Sequence, residues 1–173
     1  MRLDTRTLTR TAILLGVTMA IQMLRMPQPV TGPLINAMLV LTTLTVGMAA
    51  GIFIGLLTPW VAFTVGILPP VLGPAIPFIM GGNAALVLVM GAAIRLGHQL
   101  KFPQGERLAQ IGGVIVGGFA KYLVISTAVR FLIQVPPPVA ALLQLPQLFT
   151  AWTGGALAVA IIWAARVLRE SSR

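Results

Sequence analysis

Lys121 is the single charge between Leu108 and Val129, in a stretch of chain that is otherwise almost wholly apolar. An ammonium offers three donors and no acceptor, so in such surroundings it needs oxygen partners. Asn83 adds an amide with two donors and an acceptor. Gln144, Gln147, Thr150 and Gly154 approximate one helical stripe of polar and small residues, and Gln28, Thr31 and Asn36 lie in or beside a proline-rich segment. Arg25 and Arg130 supply two further cations at the edges of apolar runs. This neutral-to-positive set suits holding an oxygen-rich or anionic small molecule. It does not suit catalysis, because no paired carboxylates, nucleophile–base pair or phosphate-binding Gly-x-x-x-x-Gly-Lys loop accompanies it. The chain has no cysteine and one histidine, His98, which excludes thiolate metal sites and disulfides. No enzyme activity, cofactor or metal is expected.

The elements that position these residues follow from composition. The 173 residues are 57% hydrophobic and 9% charged, whereas a soluble domain carries about 25% charged residues. Such a chain cannot cover a water-facing surface. We expect an all-α integral membrane protein, a single domain over 1–173, with six transmembrane helices in a compact bundle. The spans are placed at roughly 8–26, 34–48, 50–67, 77–96, 108–134 and 144–167, each near the ~20 residues that a bilayer core requires. The stretch 34–67 is the least certain division. It reads as two spans meeting near Gly47 and Gly51.

The charges orient the bundle. Arg2, Arg6 and Arg10, then Arg95, Lys101 and Arg107, then Arg166, Arg169 and Arg173 all fall on one side of a six-span fold. By the positive-inside rule that side, with both termini, is cytoplasmic in a multi-pass cell-membrane protein. The net charge of +9 is therefore read as a response to the lipid bilayer and not as a nucleic-acid footprint, since the basic residues are scattered and no nucleic-acid motif is present. Three proline-rich stretches, Pro27–Pro33, Pro69–Pro77 and Pro136–Pro146, are expected as outer loops that end helices and form a rim or lid. Lys121 then lies near mid-bilayer, where a lysine costs at least about 2.5–3.5 kcal/mol and is a functional candidate. The alternatives are snorkelling or bonding to loop carbonyls. Arg130 lies roughly 13 Å further along and on the opposite face. Like Arg25, it is either a ligand contact or an interfacial anchor. Asn83 either bridges helices or holds a ligand.

Ala12, Gly16 and Ala20 recur at four-residue spacing and make a ridge of small side chains. Such a ridge admits a close-packed helix, from the same chain or from a partner. Together with length and span count, this ridge and several local phrases make the chain resemble the substrate-binding S components of energy-coupling factor (ECF) vitamin transporters. The phrases are Pro-Gln-Pro-Val-Thr-Gly-Pro-Leu-Ile-Asn-Ala at 27–37, Leu-Leu-Thr-Pro-Trp-Val-Ala at 56–62, Pro-Phe-Ile-Met-Gly-Gly-Asn-Ala at 77–84 and Phe-Ala-Lys-Tyr-Leu at 119–123.

The resemblance implies a binding subunit of an ABC transporter and not a complete carrier. It implies an outward site walled by spans four to six, with Asn83, Lys121 and the Gln147 region at wall positions. It implies that Ala12, Gly16 and Ala20 dock on a membrane coupling subunit, with Gly16 where Ala is usual, and that two cytoplasmic ATPase subunits drive uptake. With no acid in the outer half, a cationic cargo is disfavoured, and a neutral or anionic vitamin or precursor is expected. The competing class is a self-contained secondary transporter or channel. A membrane enzyme would need a reactive cluster that the chain lacks.

Overall fold

The computed structural model describes residues 4–99 and 104–171, and within them the only regular structure is helical. Six long helices run in the order expected: α1 (Thr5–Met23), α2 (Gln28–Thr45), α3 (Met48–Thr64), α4 (Ile76–Gln99), α5 (Gly105–Phe131) and, after the short α6 (Pro137–Leu142), α7 (Leu145–Ser171). A 3-10 helix, Pro70–Ala75, leads directly into α4. Three helical stretches are long and apolar enough to cross a membrane: Pro70–Gln99, Gly105–Phe131 and Pro137–Ser171. Met48–Thr64 is apolar but shorter. The chain is thus an all-helical membrane protein. Of the basic residues used to orient it, Arg2, Lys101 and Arg173 lie outside the described residues.

The proline stretches differ from their expected form. They open helices where they were read as loops that close them. Pro27, Pro69 and Pro136 each occupy an N-cap, with φ/ψ of −55°/147°, −65°/148° and −55°/145°. Pro29, Gly32 and Pro33 therefore sit inside the first turns of α2, six residues earlier than its expected start at 34. The physical reason is that the first turn of a helix has no carbonyl for its N–H groups to meet. A proline there forfeits nothing and supplies the helical φ. The joint at 34–67 is also settled: α2 ends at Thr45, and Gly47 turns the chain at φ 127°, a value open to glycine. Gly51 is not part of that turn. It lies within α3, where an added Cβ would come 2.5 Å from Thr43 Oγ1 and 2.9 Å from Val87.

Small residues set the helix spacing. On α5, a Cβ at Gly113 would meet Met90 Sδ at 2.6 Å, and one at Gly117 would meet Leu86 at 3.0 Å, so α4 and α5 approach closely along these notches. On α7, Gly154 lies against the backbone of α2 and Gly155 against Val114 of α5. Leu39, Ile54, Leu86 and Met90 fill the centre between α2, α3 and α4.

The two ends of the bundle differ in chemistry. At one end, Arg10 of α1 and Arg169 of α7 border the same groove as Thr45 and Val46, which places the start of α1 beside the end of α7. Here Glu106 pairs with Arg166 and accepts a bond from Gln110 Nε2 (3.1 Å). Trp163 Nε1 donates to Gln110 Oε1 (2.7 Å), and the Arg107 guanidinium lies 5.7 Å from the Trp163 ring centroid. This network ties the start of α5 to the end of α7. The opposite end carries the proline caps and a cavity.

Candidate functional site

The site begins with a proline. Pro59 stands inside α3, where its missing N–H leaves the carbonyl of Gly55, four residues earlier, without its helical donor. Asn83 Nδ2 on α4 donates to that carbonyl at 2.9 Å. Glycine at 55 eases this approach, since a Cβ would sit 3.1 Å from Asn83 Cβ and push the two helices apart by a few tenths of an ångström. With its NH₂ committed to α3, the amide of Asn83 has its oxygen turned to α5. Lys121 Nζ donates to Asn83 Oδ1 at 2.8 Å.

The same ammonium donates to Asn36 Oδ1 on α2 at 2.7 Å. Asn36 is oriented in the same way: its Nδ2 donates to Gly32 O at 2.9 Å and reaches Thr150 Oγ1 on α7 at 3.5 Å. One buried chain of hydrogen bonds thus links α3, α4, α5, α2 and α7. Lys121 is 3% exposed, Asn83 2% and Asn36 1%. The oxygen partners that Lys121 needs are supplied by two side-chain amides, and its ammonium stays buried without snorkelling. Two of its three donors are used, and its side chain also lines the cavity.

That cavity has a volume of about 370 Å³ and lies at the proline end. Lys121, Asn83 and Asn36 line its floor, together with Thr58 and Pro59. Ile35, Ile67, Leu68, Leu72, Ile79, Val139 and Leu143 give it apolar sides. Gln22, Gln28, Thr31 and Gln147 add neutral polar groups, and Arg25 is the second cation. No Asp or Glu is among the lining residues. A largely apolar pocket with a few convergent polar groups is the usual form of a small-molecule site.

The residues singled out from sequence divide as follows. Lys121, Asn83, Asn36, Gln147, Thr31 and Arg25 share the cavity. Thr150 stands behind it, buried, bonded to Asn36 and packed so closely on α2 that a Cβ at Gly32 would lie 2.8 Å from its methyl. Thr31 Oγ1 is spent on Met26 O (2.8 Å). Arg25 adopts φ 49° and donates to Gly66 O at 3.3 Å, joining the α1–α2 corner to the end of α3. Arg130 is not brought to the cavity. It is exposed and donates to Gln144 Oε1 at 3.4 Å. Ala12, Gly16 and Ala20 lie on the exposed face of α1, and a Cβ at Gly16 would meet nothing within 4 Å.

Sequence reasoning did not single out Gln22, Thr58 or Pro59. For Gln22 a signal existed: Thr18 and Gln22 lie opposite the small ridge on α1, and they are the buried residues of that helix. For Pro59 the meaning came only with the neighbour that meets the freed carbonyl.

The Pro59–Asn83 relation is testable by a double-mutant cycle. Pro59→Ala restores a helical donor to Gly55 O, so Asn83→Ala is expected to cost about 1 kcal/mol less in that background than in the wild type. Denaturant unfolding in mild detergent measures the difference, and additive losses would mean that the two residues act separately.

Fold and site together define a membrane helix bundle with a cavity at one end whose lining contains no Asp or Glu. Comparison of the chain with known family models, with curated proteins and with solved structures finds no match.

Proposed function

We propose that this chain is the substrate-binding subunit of an ECF-type ABC transporter, capturing a small neutral or anionic vitamin or precursor from outside the cell. In this reading all six long helices cross the membrane. The basic end, with Arg10, Arg95, Arg107, Arg166 and Arg169, faces the cytoplasm in keeping with the positive-inside rule, and the proline end faces out.

The observation that carries the reading is the two-sided character of α1. One face presents Ala12, Gly16 and Ala20 exposed on the outside of the bundle, and a Cβ at Gly16 would meet nothing within 4 Å among the described residues. The opposite face closes the cavity through Gln22. Packing among the described residues therefore does not account for the ridge, whereas a close-docking membrane partner does. The cavity adds support: its cations and neutral amides accept an oxygen-rich cargo, and the absence of lining carboxylates disfavours a cationic one. As the resemblance to S components implies, a membrane coupling subunit and two cytoplasmic ATPases drive the cycle in this reading, which agrees with the lack of a nucleotide-binding loop in this sequence.

Reconstitution tests the reading. Liposomes holding the chain alone are expected to bind cargo and accumulate none, with uptake appearing only on addition of a coupling subunit, its ATPases and ATP. Accumulation by the chain alone would instead establish a self-contained secondary transporter or channel. A sharper form uses Gly16→Leu. The side chain has open space, so unfolding stability is expected to stay within about 0.5 kcal/mol of wild type. ATP-driven uptake is expected to fall at least tenfold because the ridge is filled. Unchanged uptake would remove α1 from the docking face.

A further inference from the structure

The ligand contacts of this cavity extend to a residue that the ammonium network leaves out. Gln22 is 8% exposed and lines the cavity, and its Oε1 is buried with no hydrogen-bond partner among the described residues. It is the sole such side-chain atom among those residues. Its neighbour on the buried face of α1, Thr18, is satisfied by Leu14 O at 2.6 Å. The amides of Asn36 and Asn83 are engaged through both their oxygen and their nitrogen, and Gln110 through Glu106 and Trp163; the Gln147 amide, also on the cavity wall, has no atom that is both enclosed and unpaired. Buried polar groups are nearly always paired in a finished structure. Gln22 stands on the cavity wall while its Oε1 is itself enclosed, so a half-turn of the side-chain amide about its last torsion is what brings this oxygen to a guest that completes its bonding.

We propose that the Gln22 amide is a cargo contact whose carbonyl accepts a hydrogen bond from an N–H or O–H group of the bound molecule. Lys121 poses the opposite demand, since its remaining N–H seeks an oxygen acceptor. The cargo is therefore a compact molecule carrying both an oxygen acceptor and a donor, separated by apolar surface that meets Ile35, Leu72 and Leu143. An amide-bearing or hydroxylated acid fits this description, and a plain aliphatic carboxylate without a second polar group does not. The inference rests on the proposed role of the cavity as the cargo site and adds what α1 contributes to it.

The test passes a total small-molecule extract of the expressing cells over the immobilised, detergent-purified protein. Retained species are read by mass spectrometry for wild type, Gln22→Leu, Gln22→Met and Lys121→Met. The expected result is a retained molecule bearing an N–H or O–H group, held on the order of tenfold less by both Gln22 variants, in line with the loss of one hydrogen bond. Thermal unfolding of the empty Gln22 variants is expected at or above the wild-type temperature, because the orphan is gone.

Full retention by the Gln22 variants, with retention lost in Lys121→Met, would overturn this inference and leave the cavity assignment standing. A lowered unfolding temperature in both empty Gln22 variants would make the residue a structural support and overturn it as well. Retention of nothing by wild type, or equal retention by Lys121→Met and by both Gln22 variants, would overturn the cavity assignment itself. A retained molecule with no donor group would overturn the requirement for one.

Discussion

Lys121→Met is expected to lower cargo retention by roughly ten- to a hundredfold, the worth of one charge-assisted hydrogen bond at about 1.5–3 kcal/mol. Methionine matches the length of the lysine stem and keeps its packing, including the contact beside Gly82, where a Cβ would lie 3.2 Å from Lys121 Cγ. What it removes is the nitrogen shared by Asn36 Oδ1 and Asn83 Oδ1. Neither amide can simply turn to another donor, because its NH₂ is held by a backbone carbonyl of α2 or α3. Two buried oxygens are left unpaired, at about 1–3 kcal/mol each. Against that stands the relief of no longer burying an ammonium. We expect a net loss of about 1–3 kcal/mol in unfolding stability, smaller than the orphaned oxygens alone would give. Lys121→Arg is not expected to rescue binding, since a planar fork cannot replace one nitrogen bonded by two converging amides. Retention from the cell extract and thermal unfolding in detergent read the two effects separately. Wild-type retention by Lys121→Met would make this residue part of the packing alone.

Gly154→Ala is expected to be the most damaging small substitution in the chain. An added Cβ would come within 2.2 Å of Pro33 O, 2.8 Å of Asn36 Cβ and 2.9 Å of Ala37 N. Two of these three atoms belong to backbone, so no side-chain rotation relieves them and α2 must move off α7. Overpacking costs about 1–3 kcal/mol in ordinary cases, and we expect the upper end of that range or beyond. The displacement carries Asn36 with it, so Lys121 loses a partner and cargo retention falls as well. Gly112→Ala is the control on α5. A Cβ there meets nothing within 4 Å, and replacing glycine within a helix by alanine gains up to about 1 kcal/mol. The same chemical change is thus expected to raise stability at 112 and to lower it sharply at 154, as measured by thermal unfolding. Equal responses would contradict the α2–α7 contact.

Much of this was legible before any coordinates. A lysine alone in an apolar run had to be matched by neutral oxygens, and Asn36, Asn83 and Gln147 were the polar groups available on neighbouring segments. Helix order followed from hydropathy and from glycine at the tightest turn. Three things were not legible, each for a physical reason. A proline between two apolar runs ends one helix or begins the next with equal ease, and only the backbone angles at Pro27, Pro69 and Pro136 show that here it begins. Arg130 and Lys121 share one helix, but sequence does not say which faces a cavity, and Gln144 takes Arg130 elsewhere. The orphaned oxygen of Gln22 is a statement about missing neighbours, which no local pattern encodes.

The proline caps have a kinetic meaning. Each fixes its φ before folding and offers no N–H to exchange; Pro69 itself lines the cavity and Pro27 lies between the lining residues Met26 and Gln28, so this part of the cavity wall is built from helix starts that are already stiff. Loop flapping, on the nanosecond-to-microsecond scale, is a poor route past such a wall. In the proposed cycle, passage is expected to need helix ends to part, a motion of microseconds to milliseconds or slower. Cargo that enters is then expected to reside long after free solute has been washed away, so that capture is governed by a slow off-rate more than by a fast encounter.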